Sequence, residues 1–188
     1  MESLSFNQFI SLIIVFVSWI LVVFLLTAKT KNKLSNILLS LFLIVNAQDS
    51  SGMFASYFIY PTHPGWGMFI NSTVFLKMPL LYLYFQSVIY SDFKLQKKQL
   101  LHLIPFVLNL IAFIPGYYLL DFDAKWEFLE SVNRNKSFEI RFSYITVHIQ
   151  ILVYLIMSYR LIYKYKTLLL ENYSNADLLN YNWLFSLI

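Results

Sequence analysis

The sequence predicts an all-α membrane protein: a polytopic bundle of five transmembrane helices followed by the start of a sixth. Three observations predict it. Of 188 residues, 59% are hydrophobic and only 13% charged, where soluble domains carry about 25% charged residues. The chain divides into five uncharged runs, each near the roughly 20 residues a helix needs to cross about 30 Å of hydrocarbon. Lysine and arginine gather in alternate connections between those runs, as the distribution of basic residues about a bilayer requires. Such hydrophobicity excludes intrinsic disorder. Zero cysteines exclude a disulfide scaffold, a thiolate metal site and a cysteine nucleophile. Only 4 glycines tilt the reading away from a conduit, whose helices use glycine to approach closely or unwind.

The first span has Phe9 to Ala28 as its core, apolar on every face, so it should meet lipid broadly. Glu2 stands where a leader peptide would have basic residues, and Thr27-Ala28-Lys29 lacks a small-x-small cleavage pattern, so this span reads as permanent. The second runs from Leu34 to Phe58 and the third from Gly67 to Tyr90. Two prolines and a glycine in the segment from Tyr60 to Trp66 should keep that connection non-helical and make a tight hairpin. The fourth covers Leu100 to Leu120, with a kink expected near Pro115. The fifth runs from Phe142 to Arg160 and should continue as a helix past Lys164 and Lys166 until Asn172-Tyr173-Ser174-Asn175 breaks it. Residues 1–171 therefore read as a five-span membrane bundle. Residues 172–188 read as a linker and a sixth span that Ser174 and Asp177 would cap. That apolar half-helix ends at Ile188 with its carbonyls unsatisfied, so the sequence is expected to be truncated there.

Lys29, Lys31 and Lys33 follow span one, Lys94, Lys97 and Lys98 follow span three, and Arg160, Lys164 and Lys166 follow span five. The opposite connections hold Glu2, an uncharged hairpin turn, and a segment from Asp121 to Arg141 that mixes five acids with four bases. This asymmetry predicts an amino terminus outside and the lysine-rich connections inside.

Two charges interrupt the spans, and an intramembrane ionisable group is a functional hypothesis by default. Asp49 precedes Tyr60 by 11 residues and Lys77 follows Trp66 by 11, so in an antiparallel hairpin both lie about 16 Å from the turn and can pair. Two readings stand: a structural pair that orients two helices, or a ligand or proton site whose occupancy changes their packing. Asn46, Gln48, Asn109 and Gln150 are amides that commonly bond between helices. His148, with Gln150 and Asn109, is a candidate for polar sensing, since histidine titrates near neutral pH. The sequence offers no catalytic constellation, no metal-binding cluster, no cofactor motif and no Gly-x-x-x-Gly pair.

Four stretches carry a resemblance: Phe75-Leu76-Lys77-Met78-Pro79-Leu80-Leu81-Tyr82-Leu83-Tyr84, Tyr90-Ser91-Asp92-Phe93, Leu101-His102-Leu103-Ile104-Pro105-Phe106, and Glu171-Asn172-Tyr173-Ser174-Asn175 with Asn182-Trp183-Leu184. Together they resemble the membrane-embedded amino-terminal region of bacterial AraC-type helix-turn-helix regulators. The resemblance implies a bundle of about seven spans in the bacterial inner membrane ahead of a cytoplasmic DNA-binding domain. No basic helix-turn-helix segment exists in these 188 residues, so DNA is an implied partner only through a domain beyond them. The expected partners of the chain are the lipid bilayer, an envelope or lipid-phase ligand, and a second copy of itself. Its expected role is to sense a signal and pass it along the basic helix at Arg160, Lys164 and Lys166. From other classes, a small transporter or transporter subunit would use Asp49 and Lys77 on a substrate path, and the membrane part of a sensor kinase would share this topology. A membrane enzyme ranks last, because no nucleophile and base can be paired.

Overall fold

A computed structural model describes residues 5–30, 32–52, 54, 58–90 and 92–172, the last five of these in backbone only. All regular structure among them is helical. The segments expected to cap and begin a sixth span lie outside the described residues.

Helix α1 (Phe6–Thr27) opens with a reciprocal cap, Ser5 and Gln8 each bonding the other's backbone N–H. It packs chiefly on α2 (Lys33–Ser50), and only Ser18 and Val22 of its side chains are buried. After a hairpin, α3 (Pro64–Ser72) passes through a 3-10 turn at Thr73–Leu76 into α4 (Lys77–Ile89). A 3-10 segment at Lys97–Leu103 leads into α5 (Ile104–Phe113), which ends in a π turn at Ile114–Tyr118. Helix α6 (Phe122–Glu130) and a short turn at Arg134–Lys136 precede α7 (Phe138–Asn172), whose 35 residues form one continuous helix.

The topology is an up-and-down bundle in which α2 packs on α4, α4 on α7, and α5 on α7. Cross-links identify its two ends. At the lysine-rich end, Asn36 bonds the Leu25 carbonyl, Asn32 bonds the Ser87 carbonyl, and Ser87 bonds Ser35. At the hairpin end, Tyr117 donates to the Pro64 carbonyl oxygen at 2.9 Å. Each end has its own dry core, one of Leu38, Leu81, Phe85 and Ile162, the other of Met68, Phe113 and Tyr117.

Four helical stretches are long and apolar enough to cross a membrane: Phe6–Thr27, Pro64–Ile89, Lys97–Tyr118 and Phe138–Thr167. The bundle is apolar outside, where Phe16, Ile20, Leu108, Ile111, Ile149 and Leu152 are all exposed, and partly polar inside, where Ser18, Ser40, Ser72, Asn109, Gln150 and Ser158 are buried. Lipid, which neither repels the first set nor hydrates the second, is the solvent that suits this surface.

Of the five expected spans, four are matched by these stretches, and the second does not meet the same measure of length and hydropathy. The second expected span is present as α2, but its 18 residues include Lys33, Asn36, Asn46, Gln48 and Asp49, a polar load that removes it from the set an apolar solvent would select unaided. Three boundaries also move. The helix expected from Gly67 starts earlier, with Pro64 at the first position of α3, where its missing N–H costs nothing. The kink expected at Pro115 is a π turn, in which Leu119 N–H bonds the Ile114 carbonyl. The charged segment from Asp121 is a helix, with the Asp121 carboxylate accepting from Ala124 N–H at 2.9 Å.

Candidate functional site

The site grows out of the break between α3 and α4. A helix interior satisfies each carbonyl with the N–H four residues on, and Pro79 has none to give to Phe75. The Phe75 carbonyl is therefore left without an in-helix donor at a fully buried residue, where an acceptor needs a partner from elsewhere. Five residues before Phe75, at the start of the 3-10 turn, the Ile70 carbonyl oxygen accepts the Thr73 N–H.

Amides from three other helices converge on this break. Gln48 of α2 donates through Nε2 to the Ile70 carbonyl oxygen at 2.6 Å and accepts through Oε1 from the Thr73 hydroxyl at 3.0 Å. Gln150 of α7, itself buried, donates to the Phe75 carbonyl oxygen at 2.8 Å. Asn109 of α5, 1% exposed, donates through Nδ2 to Ser72 Oγ at 3.0 Å, while Ser72 donates onward to the Met68 carbonyl oxygen. Asn109 Oδ1 is buried and accepts no hydrogen bond among the described residues. One broken helix is thereby tied to α2, α5 and α7 at successive levels.

The two charges flank the break. Lys77, the first residue of α4, donates through Nζ to Asp49 Oδ2 at 3.0 Å, joining α2 to α4 one residue away from Gln48. Their side chains are 26% and 43% exposed respectively, so the pair is reachable from the bundle surface. Asp49 and Gln48 also line a small cavity of about 140 Å³ with Tyr60, Gly67, Ile70 and Asn71. Tyr60 sits tightly against α3: a Cβ on Gly67 would come within 2.7 Å of its ring. Burial pushes the Tyr60 hydroxyl above its ordinary range, and the nearby Arg134 guanidinium offsets part of that rise, so the phenol is neutral at physiological pH.

The remaining sequence-derived candidates lie elsewhere. His148 is exposed on α7, its Nδ1 bonded to the Tyr144 carbonyl one turn back at 2.7 Å, and it does not join the hub. Arg160, Lys164 and Lys166 are exposed near the far end of α7. The lower half of the bundle holds a cluster that the sequence reading missed. His102 Nδ1 lies 2.6 Å from the Tyr154 hydroxyl, and Tyr82 stacks edge-on against both rings while accepting from Gln86. This cluster joins α4, the 3-10 segment and α7. Among the described residues no group of histidines and carboxylates could hold a metal ion.

The chain matches no protein-family model, no curated protein and no solved structure. What the arrangement provides is a set of hydrogen bonds and one ion pair that tie the broken helix to α2, α5 and α7.

Proposed function

We propose that this chain is the membrane-embedded sensory region of a bacterial AraC-type transcriptional regulator. It lies in the inner membrane with its amino terminus outside, and α2 crosses the bilayer as a fifth span shielded by α1 and α4. The observation that carries the reading is the Gln150 bond to Phe75, because it ties the break directly to the helix that would leave the membrane. At 1.5 Å per residue the 35 residues of α7 extend about 52 Å, well beyond about 30 Å of hydrocarbon. A change in packing at the break would displace this rod and its basic end at Arg160 and Lys164 as one body. The signal would shift the balance between two packings of the bundle, with occupancy setting the position of α7. The resemblance in the stretches around Pro79, Asp92 and Pro105 supplies the downstream partner, DNA, through a domain carried C-terminally.

The test has two parts. The coding sequence beyond codon 188 is expected to encode the remainder of a sixth span, a seventh, and a soluble domain of about 100 residues with two helix-turn-helix units. In that parent protein, Gln150→Leu and the separate neutralisations Asp49→Asn and Lys77→Met are expected to change reporter output several-fold at equal membrane abundance. Exchange of Asp49 and Lys77 should restore it. Output indifferent to all of these changes would remove the proposal.

A second reading is favoured by one feature: a discontinuous helix beside an acid–base pair is also how transporters build a coupling-ion path. Proton flux into proteoliposomes holding the purified chain, abolished by Asp49→Asn, would support that reading over the sensory one.

A further inference from the structure

At the hairpin end, a cavity of about 400 Å³ opens between α3, α6 and the start of α7, within the range of small-molecule sites. Two aromatic rings, Tyr60 and Trp126, form part of its wall, and Met68, Leu129 and Ile140 add apolar surface. Glu130 and Arg134 line the same cavity. They are four positions apart in the chain, and no salt bridge joins them. Both are exposed; among the described residues the Arg134 guanidinium makes one hydrogen bond, from Nη1 to the Leu129 carbonyl oxygen at 3.0 Å, which leaves donors of its fork for a ligand.

An apolar, aromatic-walled hollow carrying one unpaired cation and one unpaired anion is complementary to a molecule with the same division. We infer that this cavity binds a small zwitterion with an apolar body, an apolar α-amino acid or a dipeptide with free termini. Arg134 would take the carboxylate through the paired donors of its fork. Glu130 would take the ammonium, and the side chain would lie against Trp126 and Tyr60. A singly charged ligand satisfies only one of the two groups and is repelled by the other.

The position of the cavity gives binding a consequence. Tyr60 and Asn71 line both this cavity and the smaller one that holds Gln48 and Asp49. The Tyr60 ring is held against Gly67 of α3, so a ligand that moves this ring moves the element that carries the break. The inference deepens the sensory reading and rests on it for the purpose of binding. Binding itself is read on the isolated chain, whereas the sensory reading is tested by transcription in the parent protein, so either can fail alone.

The experiment titrates the full chain in nanodiscs by calorimetry, with tryptophan emission followed in parallel and assigned through Trp126→Phe. The probes are phenylalanine, the dipeptide Phe-Phe, phenylalaninamide, N-acetylphenylalanine and the doubly blocked N-acetylphenylalaninamide. Saturable binding is expected for phenylalanine or Phe-Phe, whichever fits the cavity better identifying the source. Blocking either terminus should weaken binding about 10-fold. Arg134→Gln should erase the preference for a free carboxylate while keeping that for a free amine, and Glu130→Gln should do the reverse. Equal binding of the doubly blocked probe, the absence of saturation by any probe, or variants that leave both preferences intact would overturn the inference.

Discussion

Gln150 Nε2 lies 2.8 Å from the Phe75 carbonyl oxygen, and that oxygen is available because the residue four positions on is Pro79. A vacancy created in one helix by proline is filled by an amide from another, 75 residues away in the chain. Removing the amide leaves a buried acceptor unpaired, at a cost of about 1–2 kcal/mol. Gln150→Leu should therefore lower the stability of the purified chain. Pro79→Ala returns an N–H to the Phe75 carbonyl, so the same leucine substitution should cost less in the alanine background. A double-mutant cycle of unfolding free energies in detergent reads the coupling directly. Strict additivity would mean that the two groups do not share this carbonyl.

The Asp49–Lys77 pair should behave as a unit. Half-exposed at the bundle surface, it is worth less than a fully buried pair, whose disruption costs about 3–5 kcal/mol. Lys77→Met is expected to destabilise by about 1 kcal/mol through the carboxylate it leaves unpaired near lipid. The double change with Asp49→Asn should recover most of that loss. Thermal unfolding of Lys77→Met, Asp49→Asn and the double variant distinguishes a coupled pair from two independent surface charges.

Two glycines make contrasting predictions. A Cβ on Gly67 would press on the Tyr60 ring at 2.7 Å, a rigid group that must shift as a whole, so Gly67→Ala should cost about 1–3 kcal/mol and disturb both cavities that Tyr60 lines. A Cβ on Gly116 would meet the Glu139 carboxylate, the far end of a flexible side chain that can swing aside. Gly116→Ala should change stability by less than about 0.5 kcal/mol. Comparing the two melting temperatures checks the ranking.

The absence of native cysteine makes the topology directly measurable. Single cysteines placed at Thr62 and at Lys97 should label from opposite sides of the membrane in intact cells, Thr62 from outside. Labelling of both from the same side would place the two ends of α3–α4 on one face and undo the hairpin.

Tyr117 donates its hydroxyl to the Pro64 carbonyl oxygen while its ring packs against Phe113 and Phe128. Tyr117→Phe keeps the ring contacts and removes the bond, so a loss of about 1 kcal/mol is expected. A much larger loss would show that the hydroxyl holds the π turn as well as the start of α3.

The long apolar helices were legible because a fixed charge is costly in hydrocarbon and the uncharged runs mark where it is avoided. The match in depth between Asp49 and Lys77 was legible for a related reason: rise per residue along a helix is constant, so distance from a shared turn can be counted. What counting does not give is rotation about the helix axis, which decides whether Gln48, Asn109 and Gln150 face one another or diverge. Pro79 carried a signal for part of the answer, since it opens the Phe75 carbonyl to a donor from outside the helix. Helix α6 was hidden by its charges, although Asp121 ahead of Phe122-Asp123-Ala124 is the pattern of an amino-terminal cap. The count is least legible at α2, where Asn36, Gln48 and Asp49, which bond to neighbouring helices, lower the hydropathy by which a span is read.

That sharing of polar groups bears on biogenesis. On the five-span topology proposed above, α1 emerges from the ribosome before α2 and is apolar enough to partition into the membrane unaided. α2 is not, yet it follows into a bilayer where α1, with its buried Ser18 and Val22, already waits as a docking rail. Replacing α1 by an unrelated apolar segment should leave its own insertion intact, while the translocon then releases α2 to the wrong side or stalls it.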